Sequence, residues 1–391
     1  MHATPPNPGQ RTRHPQARPV GPGAVDFARA PFLVIWETTQ ACALACRHCR
    51  ASARPWRDPL ELDTEEGFRL IDATAAMGTP LIVLSGGDPV NRPDLPDLIR
   101  HGKRAGLRVA TIPAATDALT PDLVASLRDA GLDQMALSLD YPRADLHDAF
   151  RGVPGAFAKT LAAAGWARSA GLPLQINTTV AAATAPYLEE MAALVEELGV
   201  VFWEVFFLVP VGRGAVLGGL DPHHAERIFD LLYRTQKKAR FIVKVTEAPH
   251  YRRHVAQRER QAAGLRGRPA GGVDMPELLT TSEGPGHTVG LAPRGVNAGN
   301  GFLFVSHTGE IYPSGFLPRS AGNVRTRGLA DAYRNDDLFL ALRDVDRLEG
   351  RCGRCEYRQI CGGSRSRAFA LDGSVFAEDP WCVYEPLGGT S

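Results

Sequence analysis

The chain has 391 residues, of which 44% are hydrophobic, and its formal net charge is +1. This size allows a substantial buried core, and the balanced charge excludes the overall basic character typical of nucleic-acid-binding proteins. Because the chain has no charged-then-apolar leader and no apolar run of about twenty residues, we expect a cytoplasmic protein without membrane segments, whose cysteines stay reduced.

The first 25 residues differ in composition from the rest of the chain. They contain Arg11, Arg13 and Arg18 together with six prolines, and they contain no acidic residue. Such a segment cannot bury enough apolar surface to fold, so we predict a disordered basic tail over residues 1–25 and assign it no function.

From Phe32 onward, short apolar runs alternate with longer amphipathic ones, a pattern typical of repeated βα units and a parallel sheet. Strands are predicted at 32–36, 81–84, 107–111, 134–139, 174–179 and 202–208, and helices at 64–77, 94–105, 120–130, 157–170 and 187–198. Asp94 and Thr120 follow turn signals and are the predicted N-caps of two of these helices. Ligands are expected at the carboxyl ends of the strands.

These patterns divide the chain into a core at 26–246, a connector at 247–300 and a C-terminal domain at 301–391. The connector contains a basic stretch, 251–286, that we predict to be mobile; its arginines are Arg252, Arg253, Arg258, Arg260, Arg266 and Arg268. It is either a solvated linker or a basic lid that recognises an acidic substrate. The C-terminal domain begins with a predicted β-hairpin whose turn is at Thr308 and Gly309.

All seven cysteines fall into two sets. The first set is Cys42, Cys46 and Cys49, and the second is Cys352, Cys355, Cys361 and Cys382. Three thiolates leave one position open on a tetrahedral metal or a four-iron cluster, whereas four thiolates close the site. Disulfides fit poorly because three cysteines cannot pair off, while zinc and an iron-sulfur cluster both remain open for the second set. An open site beside a closed one indicates redox chemistry.

The segment 32–53, FLVIWETTQACALACRHCRASA, resembles the first strand and cluster loop of the radical S-adenosylmethionine (SAM) enzymes. The resemblance implies a partial (β/α)6 barrel in which Cys42, Cys46 and Cys49 hold a 4Fe-4S cluster whose fourth iron binds SAM. Reductive cleavage of SAM then gives a radical that removes a hydrogen atom from the substrate. His48 stands where the family often has an aromatic side chain over the adenine, and it could equally be a packing residue.

Other motifs follow the predicted strands and are similar to SAM-binding signatures of the same family. Gly86, Gly87 and Asp88 resemble the turn that binds the SAM amino group. By the same resemblance, the remaining SAM contacts are Ser138 and Arg151 at the ribose and carboxylate and Asn177 and Leu208 along the ribose and adenine. The alternatives are a common strand-end turn for the glycines, a solvated surface charge for Arg151 and core packing for Leu208.

The C-terminal domain resembles the SPASM or twitch-like extension of radical SAM maturases, and is nearest to the subset that tailors heme. The resemblance implies a second, auxiliary 4Fe-4S cluster on Cys352, Cys355, Cys361 and Cys382. Full SPASM domains hold a further auxiliary cluster, but Val296 and Ser314 stand roughly where its thiols would be, so we expect that cluster to be missing. Ser364 also replaces a cysteine that is often found there.

The sequence therefore predicts an oxidoreductase or maturase with SAM and two 4Fe-4S clusters, in which the auxiliary cluster accepts an electron. The expected substrate is either a tetrapyrrole whose propionates are decarboxylated or a ribosomal peptide undergoing maturation. The expected reducing partner is a flavodoxin or ferredoxin, with no nucleic acid and no membrane as partners. The alternative is a non-catalytic iron-sulfur or zinc protein that binds metal or transfers electrons.

Overall fold

The computed structural model describes residues 25–265 and 295–386. The predicted basic tail lies outside the described residues except for Val25, and so does the second half of the basic stretch.

Seven parallel strands form a curved sheet, as the period of the apolar runs predicts. They are β1 (Leu33–Glu37), β2 (Leu81–Ser85), β3 (Arg108–Thr111), β4 (Gln134–Ser138), β5 (Leu174–Val180), β6 (Phe202–Phe207) and β7 (Ile242–Thr246). The helices that follow them are α1 (Thr64–Ala76), α2 (Leu95–Arg104), α3 (Pro121–Asp129), α4 (Ala144–Arg151), α5 (Ala156–Ser169), α6 (Leu188–Leu198), α7 (Pro222–Gln236) and α8 (His250–Ala262). The partial barrel is thus confirmed, with one strand more than the six predicted.

The two faces of the sheet have different surroundings. In β1, Val34 and Trp36 are fully buried in the main hydrophobic core, whereas Leu33 and Ile35 line a cavity on the concave face. Because side chains alternate along a strand, the helices cover one face and leave the other free for ligands.

Both predicted N-cap residues stand at N-cap positions, but only one of them makes a side-chain cap bond. Thr120 accepts a hydrogen bond from the Leu123 N–H at 3.2 Å and caps α3 as expected. Asp94 stands at the N-cap position of α2 and makes no side-chain cap bond, because its carboxylate binds Arg92 and Thr64 instead. Asp94 therefore marks the helix boundary as predicted, but Arg92 and Thr64 donate to the carboxylate oxygens that would otherwise cap the helix.

The C-terminal part adds two strands to the same sheet. These are β8 (Phe302–Val305) and β9 (Ile311–Tyr312), followed by α9 (Leu329–Asn335), α10 (Asp337–Arg343), α11 (Gly350–Arg354) and α12 (Arg365–Asp372). The predicted hairpin is present, since β8 and β9 are antiparallel. Strand β8 also pairs in parallel with β1, so one sheet runs through both parts of the chain. The division at 246 and 300 stays a prediction.

The first half of the basic stretch is not a mobile linker. Residues 250–262 form α8, in which Tyr251 and Arg253 are buried. Tyr233 of α7 and Lys237, which follows α7 directly, bind Glu259 of α8, at 2.8 Å in each case, and these contacts join the two helices. The sequence pattern suggested a linker because the many arginines hide an apolar face, and their charges are balanced by acidic residues of another helix.

No helix in the described ranges is long and apolar enough to span a membrane.

Candidate active site

A cavity of about 240 Å³ opens at the carboxyl ends of the strands, and it is called the first cavity below. Its lining includes the first cysteine set and six of the seven residues predicted to bind SAM: Cys42, Cys46, Cys49, Gly86, Gly87, Ser138, Arg151, Asn177 and Leu208. Residues separated by more than 160 positions in the chain therefore meet at one place. Their individual roles remain proposals.

The loop that carries the first cysteine set is held by backbone contacts on both sides. The Cys42 N–H donates to the Arg54 carbonyl at 2.7 Å, and the Ala45 N–H donates to the Arg151 carbonyl at 3.1 Å. Arg213, which the sequence analysis did not single out, donates from Nε to the Cys46 carbonyl at 2.9 Å. Burial raises the pKa of the Cys42 thiol to about 12. A thiol of this kind gives up its proton when a metal ion binds it.

The turn after β2 passes very close to the cysteine loop. A Cβ atom on Gly86 would lie 2.5 Å from the Thr39 carbonyl oxygen, and one on Gly87 would lie 2.6 Å from the carbonyl oxygens of Gln40 and Ala41. Gly86 also has a φ of 153°, which side chains disfavour. Only glycine fits at either position, and the resulting cradle of backbone groups faces the first cavity.

Asp88 does not contribute its side chain to the first cavity. Its carboxylate is fully buried and accepts hydrogen bonds from the N–H groups of Val90 and Ala114 and from the Thr116 hydroxyl. Burial raises the pKa of this carboxyl to about 6, against the effect of those three donors. Its position indicates a structural role in bracing the turn, and the SAM contact that the sequence motif suggested for Asp88 stays a prediction.

Arg151 ends α4 and is buried beside the first cavity, where a solvated surface charge was the alternative expectation. Its Nη2 lies 2.5 Å from Asp140 Oδ2, and its Nη1 donates to Cys46 Sγ at 3.7 Å. Nε is shielded from solvent and has no hydrogen-bond partner in the described part of the chain. A buried donor that lacks an acceptor is suited to an anionic ligand such as a carboxylate.

His48 lines the first cavity and stacks on Phe150, with ring centroids 4.5 Å apart and planes 9° apart. Burial lowers the pKa of His48 to about 4, so the ring is neutral at physiological pH. The stacking supports the packing alternative and leaves the other side of the imidazole as part of the cavity wall.

The residues present fit SAM and an open cluster: three thiols, a backbone cradle without side chains and a buried guanidinium line one cavity. Residues 36–195 match a family model described as the radical SAM superfamily. The AdoMet-dependent heme synthase of Methanosarcina barkeri is 39% identical over 362 residues, which cover 93% of this chain and 99% of that protein. The chain belongs to the radical SAM superfamily.

Further comparisons agree with this radical SAM assignment. The PqqA peptide cyclase of Ruegeria pomeroyi is 30% identical over 360 residues, covering 91% of this chain and 88% of that protein. A crystal structure of Streptococcus suis SuiB bound to S-adenosylmethionine superposes with a TM-score of 0.68, covers 91% of this chain and 78% of that one, and shares 17% identity, which supports the fold alone. The predicted family, fold class and enzymatic character are confirmed.

The second cysteine set lines a separate small cavity, called the C-terminal thiol site below. Arg365 donates from Nη2 to Cys352 Sγ at 3.9 Å, and the Gly363 N–H donates to Cys361 Sγ at 3.4 Å. Burial raises the pKa of Cys355 to about 11. Cationic and N–H donors beside sulfur suit a thiolate-bound cluster. Within the two described ranges, no three His, Cys, Asp or Glu side chains stand close enough to hold a single metal ion.

The C-terminal part is fastened directly to the cysteine loop of the radical SAM core. Glu37, at the end of β1, forms an ion pair with Arg50 and a hydrogen bond of 2.8 Å with Nδ1 of His307 in the β8–β9 turn. Arg50 follows Cys49 in the chain and also donates to the Gly315 carbonyl at 3.2 Å. The sequence analysis missed this cluster, because Glu37 reads only as a polar strand end.

A second cavity, also of about 240 Å³, lies on the concave face of the sheet. It shares Ile112, Phe206 and Phe316 with the lining of the first cavity, so the two adjoin. Val296 and Ser314, predicted to replace ligands of a further cluster, line it as well. Ser314 and Ser364 both donate to the carboxyl group of Glu247, at 3.4 and 2.5 Å. A buried glutamic acid thus gathers two serines that stand at positions expected for cysteines.

Proposed function

We propose that this radical SAM enzyme removes a hydrogen atom from a propionate side chain of a tetrapyrrole and so leads to its decarboxylation. The observation that carries the proposal is the second cavity. It adjoins the first cavity through shared side chains, and its lining residue Arg252 donates to the carbonyl of Ile360, the neighbour of Cys361. A substrate in that cavity would lie between the two cysteine sets.

In the proposal, Cys42, Cys46 and Cys49 hold an open 4Fe-4S cluster, and Cys352, Cys355, Cys361 and Cys382 hold a closed one. When bound, SAM and the open cluster supply a hydrogen-abstracting radical, and the closed cluster supplies an electron acceptor. The chain itself binds and orients SAM: Gly86 and Gly87 offer backbone groups to the SAM amine, and Arg151 offers Nε to its carboxylate. Ser138, Asn177 and Leu208 would lie along the nucleoside.

Decarboxylation would give the closed cluster site the role of an electron acceptor. Removing a hydrogen atom from the propionate carbon attached to the ring, which is β to the carboxylate, followed by loss of carbon dioxide, leaves a vinyl group and releases one electron, so the reaction requires an acceptor. Four protein thiolates leave no position for substrate, which favours electron transfer over substrate binding at the C-terminal thiol site. We also propose that the further auxiliary cluster of full SPASM domains is absent, and that a small reducing protein such as a flavodoxin or ferredoxin supplies the electron for SAM cleavage.

The tetrapyrrole class is favoured over a ribosomal peptide by the degree of similarity. The chain covers 99% of a heme synthase at 39% identity and 88% of a peptide cyclase at 30% identity. A peptide substrate remains the second candidate, because SuiB shares the fold and has been crystallised with its precursor peptide SuiA. A purely electron-carrying protein would not need the glycine cradle beside an open three-thiol site.

Two matched cysteine variants test the proposal, since each removes one thiolate from one site. Anaerobically reconstituted wild type should contain about eight irons per chain and, with dithionite, should convert SAM to 5'-deoxyadenosine and decarboxylate Fe-coproporphyrin III. Cys46→Ala should abolish 5'-deoxyadenosine formation. Cys355→Ala should retain it and lose the decarboxylated product.

Circular dichroism and retained SAM binding control for folding, because a metal site can stabilise the domain around it. About four irons and one zinc in the wild type would contradict the second cluster. Wild-type product yield from Cys355→Ala, with its closed cluster shown absent by iron analysis, would contradict the electron-accepting role. Turnover of a precursor peptide but of no tetrapyrrole would replace the substrate class.

A further inference from the structure

The arginines at the start of α8 differ in how their charge is balanced. Arg253 forms an ion pair with Glu226 of α7, and Arg258 pairs with Asp230 of the same helix at 2.5 Å. Arg252 forms no ion pair with any Asp or Glu of the described ranges, and the titratable neighbour that acts on its charge there is the thiol of Cys361. Burial lowers the pKa of Arg252 to about 10, the direction expected of a guanidinium that has left water without a carboxylate.

The guanidinium of Arg252 is nevertheless held in place. Nη2 donates to the Val296 carbonyl at 2.5 Å, and Nη1 donates to the Ile360 carbonyl at 3.1 Å. Gly295 lies against it so closely that a Cβ there would be 2.3 Å from Nη1. Two carbonyl acceptors orient the fork without neutralising its charge. Arg252 is half-buried, and a partly desolvated charge without a carboxylate partner is suited to an anion that arrives with the ligand.

The other charged groups of the second cavity already have partners. Lys244 lies 3.1 Å from Glu204, which also accepts a hydrogen bond from the Thr246 hydroxyl at 2.6 Å. Glu247 is held by the hydroxyls of Ser364 and Ser366, at 2.5 and 3.0 Å. Arg252 is therefore the cation among these lining groups whose charge stays available.

The rest of the second cavity determines what else such a ligand must carry. Strands β1 to β3 and the residue that follows β3 contribute an apolar wall: Leu33, Ile35, Leu81, Val83, Ala110 and Ile112. Further along the same sheet, β4 and β5 contribute Gln134 and Gln175, whose side chains hydrogen-bond to each other at 2.8 Å. A cavity with an apolar region, polar amides and a cation without a carboxylate partner suits an amphipathic molecule with a carboxylate at its edge.

We propose that Arg252 binds a carboxylate of the substrate in the second cavity and thereby fixes how the substrate lies between the two cysteine sets. The proposal rests on the proposed function for the identity of the acid, a tetrapyrrole propionate. A guanidinium fork can give two parallel hydrogen bonds to one carboxylate, which specifies orientation as well as charge. Arg252 would then be a specificity-determining residue that is not itself part of either cluster site.

The test is equilibrium binding, followed by porphyrin fluorescence under anaerobic conditions, of coproporphyrin III and of its tetramethyl ester. The ester has the same ring and no carboxylate, so the ratio of the two dissociation constants within one protein preparation isolates the charge contact. Arg252→Gln should weaken binding of the acid about 30-fold or more, as expected for truncating one partner of a buried charge pair, and should leave binding of the ester unchanged. Arg252→Lys should bind the acid with an affinity between those of wild type and Arg252→Gln, because lysine keeps the charge without the two-pronged guanidinium.

Arg258→Gln is the matched control, because it removes an arginine of the same helix whose partner is Asp230. It should bind the acid as the wild type does. Iron and sulfide content of each variant shows whether the C-terminal thiol site is intact, and the acid-to-ester ratio remains interpretable in either case.

Two negative outcomes are distinguishable. If wild type binds the acid more tightly than the ester and Arg252→Gln keeps that preference, the assignment of Arg252 is overturned while the proposed function stands. If wild type does not bind coproporphyrin III at all, the tetrapyrrole function fails, and this inference fails with it.

Discussion

Arg367 should be among the most costly residues to replace, although it touches neither set of cysteines. It lies on α12, is fully buried, and forms an ion pair with Asp379 at 3.1 Å. Its guanidinium also donates to the carbonyls of Leu208 and Glu247, at 3.3 and 2.6 Å, and stacks over Trp381 at 4.0 Å from the ring centroid. One side chain therefore joins the C-terminal part to the end of β6, beside the first cavity.

Replacing Arg367 with Met keeps an apolar stem of similar length and removes every one of these donors. Asp379 is then a buried charge without its cation, and breaking a buried pair in this way costs about 3–5 kcal/mol. With an unfolding entropy of about 2.1 cal/mol/K per residue, a chain of this length should lose roughly 4–6 °C in Tm if it unfolds in one step.

The measurement is anaerobic thermal unfolding of reconstituted protein followed by circular dichroism, for Arg367→Met, Asp379→Asn and the double variant. The double variant should be less destabilised than the sum of the single ones, because Asn leaves no uncompensated charge. Arg128→Met is the control, since Arg128 and Asp129 form an exposed ion pair worth about 1 kcal/mol or less. A Tm loss for Arg367→Met no larger than that of the control, or strict additivity in the cycle, would refute the reasoning.

Three further outcomes are expected. Gly87→Ala should abolish or severely weaken SAM binding, because its Cβ would lie 2.6 Å from two carbonyl oxygens. The control Gly165→Ala in α5 meets nothing within 4 Å and should raise stability slightly. Isothermal titration with SAM measures the loss of binding, and Tm measures the change in stability of each variant. Arg151→Ala should weaken SAM binding roughly tenfold to a hundredfold through loss of charge-assisted hydrogen bonds, and unchanged affinity would remove this residue from the site. Arg325 donates to both carboxylate oxygens of Glu66 and holds the pKa of Glu66 at about 2, so the stability it adds is complete above the ordinary pKa of 4.5 and is lost as the pH falls toward 2. The Tm difference between wild type and Glu66→Gln should accordingly shrink between about pH 5 and pH 3, and a constant difference would contradict the role of the ion pair.

The sequence by itself determined the parts of this protein that depend on local pattern. Apolar runs of strand length and helices of amphipathic period placed six strands within about two residues, because side-chain alternation and helical spacing are short-range properties. The cysteine spacings predicted two separate thiol sites, and each set does line its own cavity. Gly86 and Gly87 were recognised because glycine is needed wherever two backbones approach this closely.

The seventh strand and the extension of the sheet were not predicted. Strand β7 alternates hydrophobic residues with Lys244, a pattern too short and too polar to separate from a loop. The pairing of β8 with β1 joins residues about 270 positions apart, and no local pattern encodes which edge of a sheet a hairpin will meet.

Only the tertiary structure decided which charged residues matter. Arg252, Arg253 and Arg258 are alike in sequence, yet two are paired with acids of α7 and one faces a cavity. The hydrogen bonds that the Asp88 carboxylate accepts likewise come from residues brought close by the fold. The partner of a charged side chain is set by distant elements in three dimensions, and in a chain with 44 Lys and Arg against 43 Asp and Glu, composition cannot identify which cation faces a cavity.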